Sequence, residues 1–216
     1  MRRSVLILSL LAAVAGAVPA RASELPYGPT LTFAAWRNGE RIGTHTLRFE
    51  RDGARLTVST TIDLAVKFLG FTAYRYQHRA REVWNGDALM LLASETNDNG
   101  RSHAVRAERD GGVLLVRGDA AAPRQMPPQI LPSSHWNSRQ VGESTLLNTQ
   151  TGEEARVTVS RVGREAVKTA NGSVQATRYR YAGDVSMEQW FDDRGRWVKT
   201  AFTASDGSTV EYVLQE

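Results

Sequence analysis

The chain has 216 residues, 27 Lys and Arg against 23 Asp and Glu, and no cysteine. The missing thiols exclude disulfides, thiolate metal sites, Fe–S clusters and cysteine nucleophiles. No Lys/Arg run of the kind that reads as a nucleic-acid patch occurs, so nucleic acid is not an expected partner.

Residues 1–22 read as a cleavable export signal. Arg2 and Arg3 form a positive start, residues 5–18 are apolar, and Ala20 and Ala22 occupy the small positions that a signal peptidase reads. Cleavage is expected after Ala22, with Ala20 as the alternative. The apolar run is shorter than the roughly 20 residues of a spanning helix. The reading predicts a periplasmic protein of residues 23–216, a single β domain with no stable membrane insertion. Taking the three arginines of the signal from 27 leaves 24 basic groups against 23 acidic ones, so the mature chain is close to neutral.

Seven Asn-Gly or Asp-Gly dipeptides, at 38, 52, 85, 99, 110, 171 and 206, separate runs rich in β-branched and aromatic residues. These residues tolerate the positive φ of tight hairpin turns, so the pattern predicts an antiparallel meander. Strands are expected at 31–37, 40–51, 55–67, 72–84, 89–96, 103–109 and 113–117. The third is the clearest: Leu56, Val58, Thr60, Ile62, Leu64 and Val66 alternate with Thr57, Ser59, Thr61, Asp63 and Lys67, as a strand with one buried face should. Leu69-Gly70 makes the bend to the fourth.

Pro123, Pro127, Pro128 and Pro132 then break the rhythm. Proline cannot serve an inner strand, so residues 118–144 read as a loop joining two halves, 29–117 and 145–214. A short helix is expected near 136–140, capped by Ser134 or Asn137. Strands resume at 146–149, 154–162, 174–181, 185–191, 197–204 and 209–214. The fold class is all-β: an up-and-down meander of about twelve strands in one curved sheet or barrel, with at most one short helix. Closed barrel and open half-barrel both hide the sheet edges.

The fourth strand carries the most suggestive face, with Tyr74, Tyr76, His78, Glu82 and Trp84 in register. His45 shares a face with Leu47 and Phe49. Polar groups inside an apolar concavity are how many ligand sites are built, although period alone does not say which face is inside. The segment 132–137, Pro-Ser-Ser-His-Trp-Asn, adds His135 and Trp136 in a loop. Tyr74, Tyr76, His78, Glu82, His135, Trp136 and His45 are therefore the expected ligand-binding set. Ser133 and Ser134 beside His135 resemble a nucleophile and base, but no Gly-x-Ser-x-Gly elbow is present. The four histidines, His45, His78, His103 and His135, lack metal-binding spacing, and Asn97-Asp98-Asn99 lacks the rest of a calcium loop. No metal or cofactor is expected. Trp190 to Trp197 reads as an aromatic clamp across a polar turn.

The segments Ile42-Gly43-Thr44-His45, Tyr74-Arg75-Tyr76-Gln77-His78-Arg79, Pro132-Ser133-Ser134-His135-Trp136-Asn137, Leu147-Asn148-Thr149-Gln150-Thr151-Gly152 and Trp190-Phe191-Asp192 together resemble exported proteobacterial proteins of domain-of-unknown-function family 6134. The closing hairpin is also similar to family 3108. The resemblance covers nearly all of the mature chain and implies no assigned activity. In outline, such envelope β proteins are similar to half-barrel carriers that hold acyl chains in a concave sheet. The leading expectation is non-enzymatic binding of a small apolar or lipid-like amphipathic ligand, or an envelope-accessory role. The alternatives are a hydrolase or isomerase using His135 or His78 with Glu82, and a structural or partner-docking module of the envelope.

Overall fold

The computed structural model describes residues 26–215, so the signal reading of residues 1–22 lies outside the described residues. The first half supplies β1 (Thr30–Arg37), β2 (Glu40–Asp52), β3 (Arg55–Phe68), β4 (Phe71–Asn85), β5 (Ala88–Asp98), β6 (Arg101–Asp110) and β7 (Val113–Arg117). Two very short strands follow, β8 (Arg124–Met126) and β9 (Leu131–Pro132), then a 3-10 turn at Ser138–Gly142. The second half supplies β10 (Thr145–Leu147), β11 (Glu154–Thr169), β12 (Gly172–Gly183), β13 (Met187–Asp192), β14 (Trp197–Thr203) and β15 (Thr209–Leu214).

The hairpins form where the turn chemistry asks for them. Each of the seven Asn-Gly or Asp-Gly dipeptides lies at a strand-to-strand connection. Asn38 and Gly39 have φ of 48° and 84°, and Asn99 and Gly100 have 51° and 94°. Both central residues are left-handed, as the two-residue hairpin that matches strand twist requires. Leu69 and Gly70 adopt the same geometry, at 49° and 84°. Leucine is a poor residue for that conformation, which costs it roughly 1–2 kcal/mol.

The sheet has fifteen strands rather than about twelve. Two of the additions, β8 and β9, lie inside the proline-rich segment expected to be a loop. They form the two ends of the sheet, where prolines within β9 and around β8 leave no inner ladder bond unmade. β11 also runs seven residues past the expected end at 162, to Thr169; its charged, alternating end carries no local strand signal. In the other direction, the strand expected at 146–149 stops at Leu147. Asn148 Oδ1 accepts from the Gln150 and Thr151 amides (2.8 and 3.2 Å) and turns the chain there. The short helix is a 3-10 turn capped by Asn137, whose Oδ1 accepts from the Arg139 amide.

All fifteen strands form one sheet in the order β8-β7-β6-β5-β4-β3-β2-β1-β15-β14-β13-β12-β11-β10-β9. Every neighbour pair is antiparallel except β9–β10. The first and last strands pair with one another, Phe33 opposite Leu214 through Arg37 opposite Val210. That pairing fuses the two halves into one surface. The sheet curls so that its far ends approach. The Asp119 amide donates to Thr151 O (2.9 Å), Ser94 Oγ donates to Thr149 O (2.5 Å), and Arg109 donates to Pro128 O. This seam is stitched by loop and side-chain bonds instead of a strand ladder.

The inward residues form one core, with Phe33, Leu47, Leu92, Leu114, Leu147 and Trp197 fully buried. On β4 the inward face is the one bearing His78, Ala80, Glu82 and Trp84, while Arg79 and Arg81 point out. A small second core of Val167, Ala176, Trp190 and Val198 lies apart from the main one. The indole of Trp190 donates to Glu165 (2.6 Å) and has Arg178 and Lys199 over its ring. The aromatic clamp thus divides, with Phe191 and Trp197 in the main core and Trp190 in the smaller one.

Candidate functional site

The interior of the curled sheet is only partly filled. A cavity of about 750 Å³ opens between β3 and β4 on one side and β14 and β15 on the other. Ile62, Leu64 and Val66 of β3, Tyr76 and His78 of β4, and Phe202, Val210 and Tyr212 of β14–β15 form its walls. The period-two rule explains this lining, since each is an inward residue of its strand. The segment 133–135 enters from the proline region and forms the floor together with Thr149 and Gln150.

Three histidines converge on this floor. His45 is wholly buried, its ring edge-on to Trp197 (5.1 Å) and Tyr212 (5.2 Å) and 6.0 Å from the ring of His135. Neither ring nitrogen of His45 has a hydrogen-bond partner. His135 sits at φ 69°, a left-handed conformation that histidine tolerates better than most residues. Its Nδ1 is engaged by the Gln189 side-chain amide at 2.9 Å. His78 Nδ1 is engaged by Thr96 Oγ1 at 2.7 Å, and its ring lies parallel to that of Tyr76.

Burial holds all three imidazoles in the neutral form. It lowers His45 well below the ordinary histidine range, with His135 and then His78 adding to the effect. It lowers His78 to about 4, helped by the Arg79 charge, and His135 to about 4, helped by His78. Desolvation penalises the charged ring, and each neighbouring imidazole makes protonation of the next harder. Burial also pushes the Tyr76 and Tyr212 phenols up. At neutral pH the floor of the cavity offers uncharged donors and acceptors, while the charged lining residues are engaged, Arg37 with Asp206 and Asp98 with the Tyr74 hydroxyl. The three histidines are not placed to share a metal ion, and no other group of three His, Cys, Asp or Glu side chains among the described residues is either.

Glu82 and Trp136 lie in the core beneath this floor and do not line the cavity. Glu82 Oε2 accepts from Trp84 Nε1 (2.9 Å) and from Trp136 Nε1 (3.2 Å). Burial raises its pKa against the opposing pull of the Ser134 hydroxyl beside it and of the two indoles. Trp136 is held further by Trp84 and Phe49, both edge-on at 5.7 Å, and its carbonyl accepts from the Tyr27 hydroxyl. Glu82 is therefore the acceptor that fixes the 133–137 segment inside the sheet. The expected pairing of His78 or His135 with Glu82 is not made: the carboxylate is taken by two indoles, and the histidines by Thr96 and Gln189.

Of the seven expected residues, His45, Tyr74, Tyr76, His78 and His135 line the cavity, and Tyr74 stands at its rim with its hydroxyl on Asp98 (2.7 Å). Sequence reasoning missed Tyr212, Gln150, Thr60 and Gln189. Tyr212 had a signal, since it alternates with Val210 and Leu214. So did Gln189, a polar residue between the inward Met187 and Phe191. Gln150 had none: it reaches Tyr76 (3.1 Å) from a turn in the other half of the chain.

A family model described as "Domain of unknown function (DUF6134)" matches residues 33–215. The chain belongs to that family. No curated protein matches it. Among solved structures, this DUF6134 chain is similar to the crystal structure of a beta-barrel-like protein of domain of unknown function DUF1849 from Brucella abortus. The two share 10% identity at a TM-score of 0.60, over 87% of this chain and 95% of that one. At such identity the likeness shows the fold, a barrel-like curled sheet, and nothing about a ligand.

Proposed function

We propose that this DUF6134 protein is a periplasmic binding protein that holds a small amphipathic molecule. The apolar part lies against Ile62, Leu64, Val66, Phe202 and Val210, and an uncharged hydrogen-bonding head faces His45 and Thr60. The observation that carries the reading is the cavity of about 750 Å³, within the roughly 300–1,000 Å³ of small-molecule sites, with both His45 nitrogens and Thr60 Oγ1 buried there without a partner. A buried polar group without a partner is costly, and a ligand head would relieve that cost. Neutral imidazoles favour a neutral head over a carboxylate or phosphate, since the one cation of the lining, Arg37, is held by Asp206.

Native mass spectrometry of protein purified from the periplasm, with mass analysis of the extracted small molecules, tests this. The same preparation is titrated with N-phenyl-1-naphthylamine as an apolar probe. Probe uptake that is displaced by the extract, and abolished in folded Thr60→Trp, is the expected result. Equal probe uptake by the wild type and Thr60→Trp overturns it.

A further inference from the structure

The β3–β4 hairpin is longer than its neighbours. β2 pairs with β3 no further than Leu64, and β5 pairs with β4 no further than Tyr76. A last backbone bond, from the Asn99 amide to Arg75 O, ends the support. Residues 66–74 then pair only with each other, as a ribbon projecting about 13 Å beyond the sheet. At its apex Phe68, Leu69 and Phe71 are 68, 82 and 79% exposed. They are the three most exposed large apolar side chains among the described residues. Exposed apolar side chains clustered on one projection mark an interaction site.

Two further observations say what that site meets. The one charge on the ribbon, Lys67, and the next one at its base, Arg75, are both positive, and neither is in an ion pair among the described residues. The nearby carboxylates are engaged, Asp63 with Arg79 (2.8 Å) and Asp98 with the Tyr74 hydroxyl (2.7 Å). The turn also keeps a leucine at φ 49° where the equivalent turns use asparagine, so its apolar side chain is retained against backbone preference. A narrow convex tip of apolar side chains with cations behind it suits a lipid headgroup layer, where the rings reach acyl chains and the cations reach phosphates. Val66, Ala73 and Tyr74, at the base of the finger, are also lining residues of the cavity.

We propose that this finger docks the protein on an anionic phospholipid surface, inserting Phe68, Leu69 and Phe71 and setting Lys67 and Arg75 against phosphates, so that the cavity mouth faces the bilayer. The docking stands by itself; its use in loading or unloading the cavity rests on the ligand-binding reading.

The absence of cysteine makes Leu69→Cys a unique labelling site for the environment-sensitive fluorophore NBD. Its emission should shift to the blue with vesicles of phosphatidylcholine and phosphatidylglycerol, and less with phosphatidylcholine alone. A label on Met90→Cys should not respond. Phe68→Ser with Phe71→Ser, folded by circular dichroism, should lose about tenfold or more in vesicle co-flotation. Lys67→Glu and Arg75→Glu should each lose about fivefold on the anionic vesicles alone. Undiminished uptake of N-phenyl-1-naphthylamine by the double serine variant separates loss of docking from loss of the cavity. An NBD signal blind to vesicles, or flotation unchanged in the double variant, overturns the proposal. So does concentration-dependent self-association that buries the label, which would assign the tip to a second copy of the chain.

Discussion

Glu82 and the three interior histidines show two ways of keeping polar groups in a β interior. Glu82 meets the cost of burial with two indole donors. The histidines meet it by staying neutral, and that choice makes stability depend on pH. Their folded pKa values are depressed, so as pH falls from about 6.5 the unfolded chain takes up protons that the folded chain refuses. The stabilisation is whole above about 6.5 and is lost as pH falls toward 4. Glu82 works the other way, because its raised pKa favours the folded state at low pH and that contribution fades as pH rises. Three histidines outweigh one carboxyl, each contributing roughly 1 kcal/mol per pH unit across the window. Thermal melts from pH 7 to pH 5 should therefore fall, and His78→Gln should flatten the slope; an unchanged slope in that variant would contradict the assignment. Alternation in the sequence put His78 and Glu82 on one face but could not say that the face was inward. Nor could it say that Trp136, 54 residues away along the chain, would take the carboxylate.

Turns decide the elements, and most were legible because their chemistry is local. Asn38-Gly39 and Asn99-Gly100 spell their own conformation. Leu69-Gly70 adopts the same turn with the wrong residue, and the conflict is measurable. Leu69→Asn should relieve left-handed strain and raise the melting temperature by about 2–4 °C, while weakening vesicle binding. A variant that is no more stable would show that the leucine rests there without strain. The opposite case is Gly43, where a Cβ would come within 1.9 Å of the Asp63 carbonyl oxygen; there the neighbouring strand, and not the turn, demands glycine. β8 and β9 were illegible because three or two residues among prolines carry no period. The end of β11 was illegible because its pairing with β12 continues past a bulge between Arg161 and Gly163.

Over the whole molecule, the adjacency of hairpin-linked strands could be read along the chain, but the pairing of β1 with β15 could not, since no turn connects them. Likewise nothing local announced that the proline segment would send His135 and Trp136 through the middle of the curl. The β1–β15 pair nonetheless decides the architecture. The Gln215 amide donates to Thr32 O (2.9 Å), which places the last described residue beside the first strand. The first and last strands of the described chain thus fall in the centre of the sheet, while the gap in the sheet falls midway along the chain, between β8 and β9. Connectivity and architecture are two rings, each cut once, at opposite points. The cut in the polypeptide can then be moved without touching the other. A circular permutant that begins at Ala54, with a flexible linker from Gln215 to Tyr27, should fold cooperatively with the same near-ultraviolet dichroism and take up the same probe. Cutting instead between Pro127 and Ile130 should release the 133–137 segment and remove His135 from the floor.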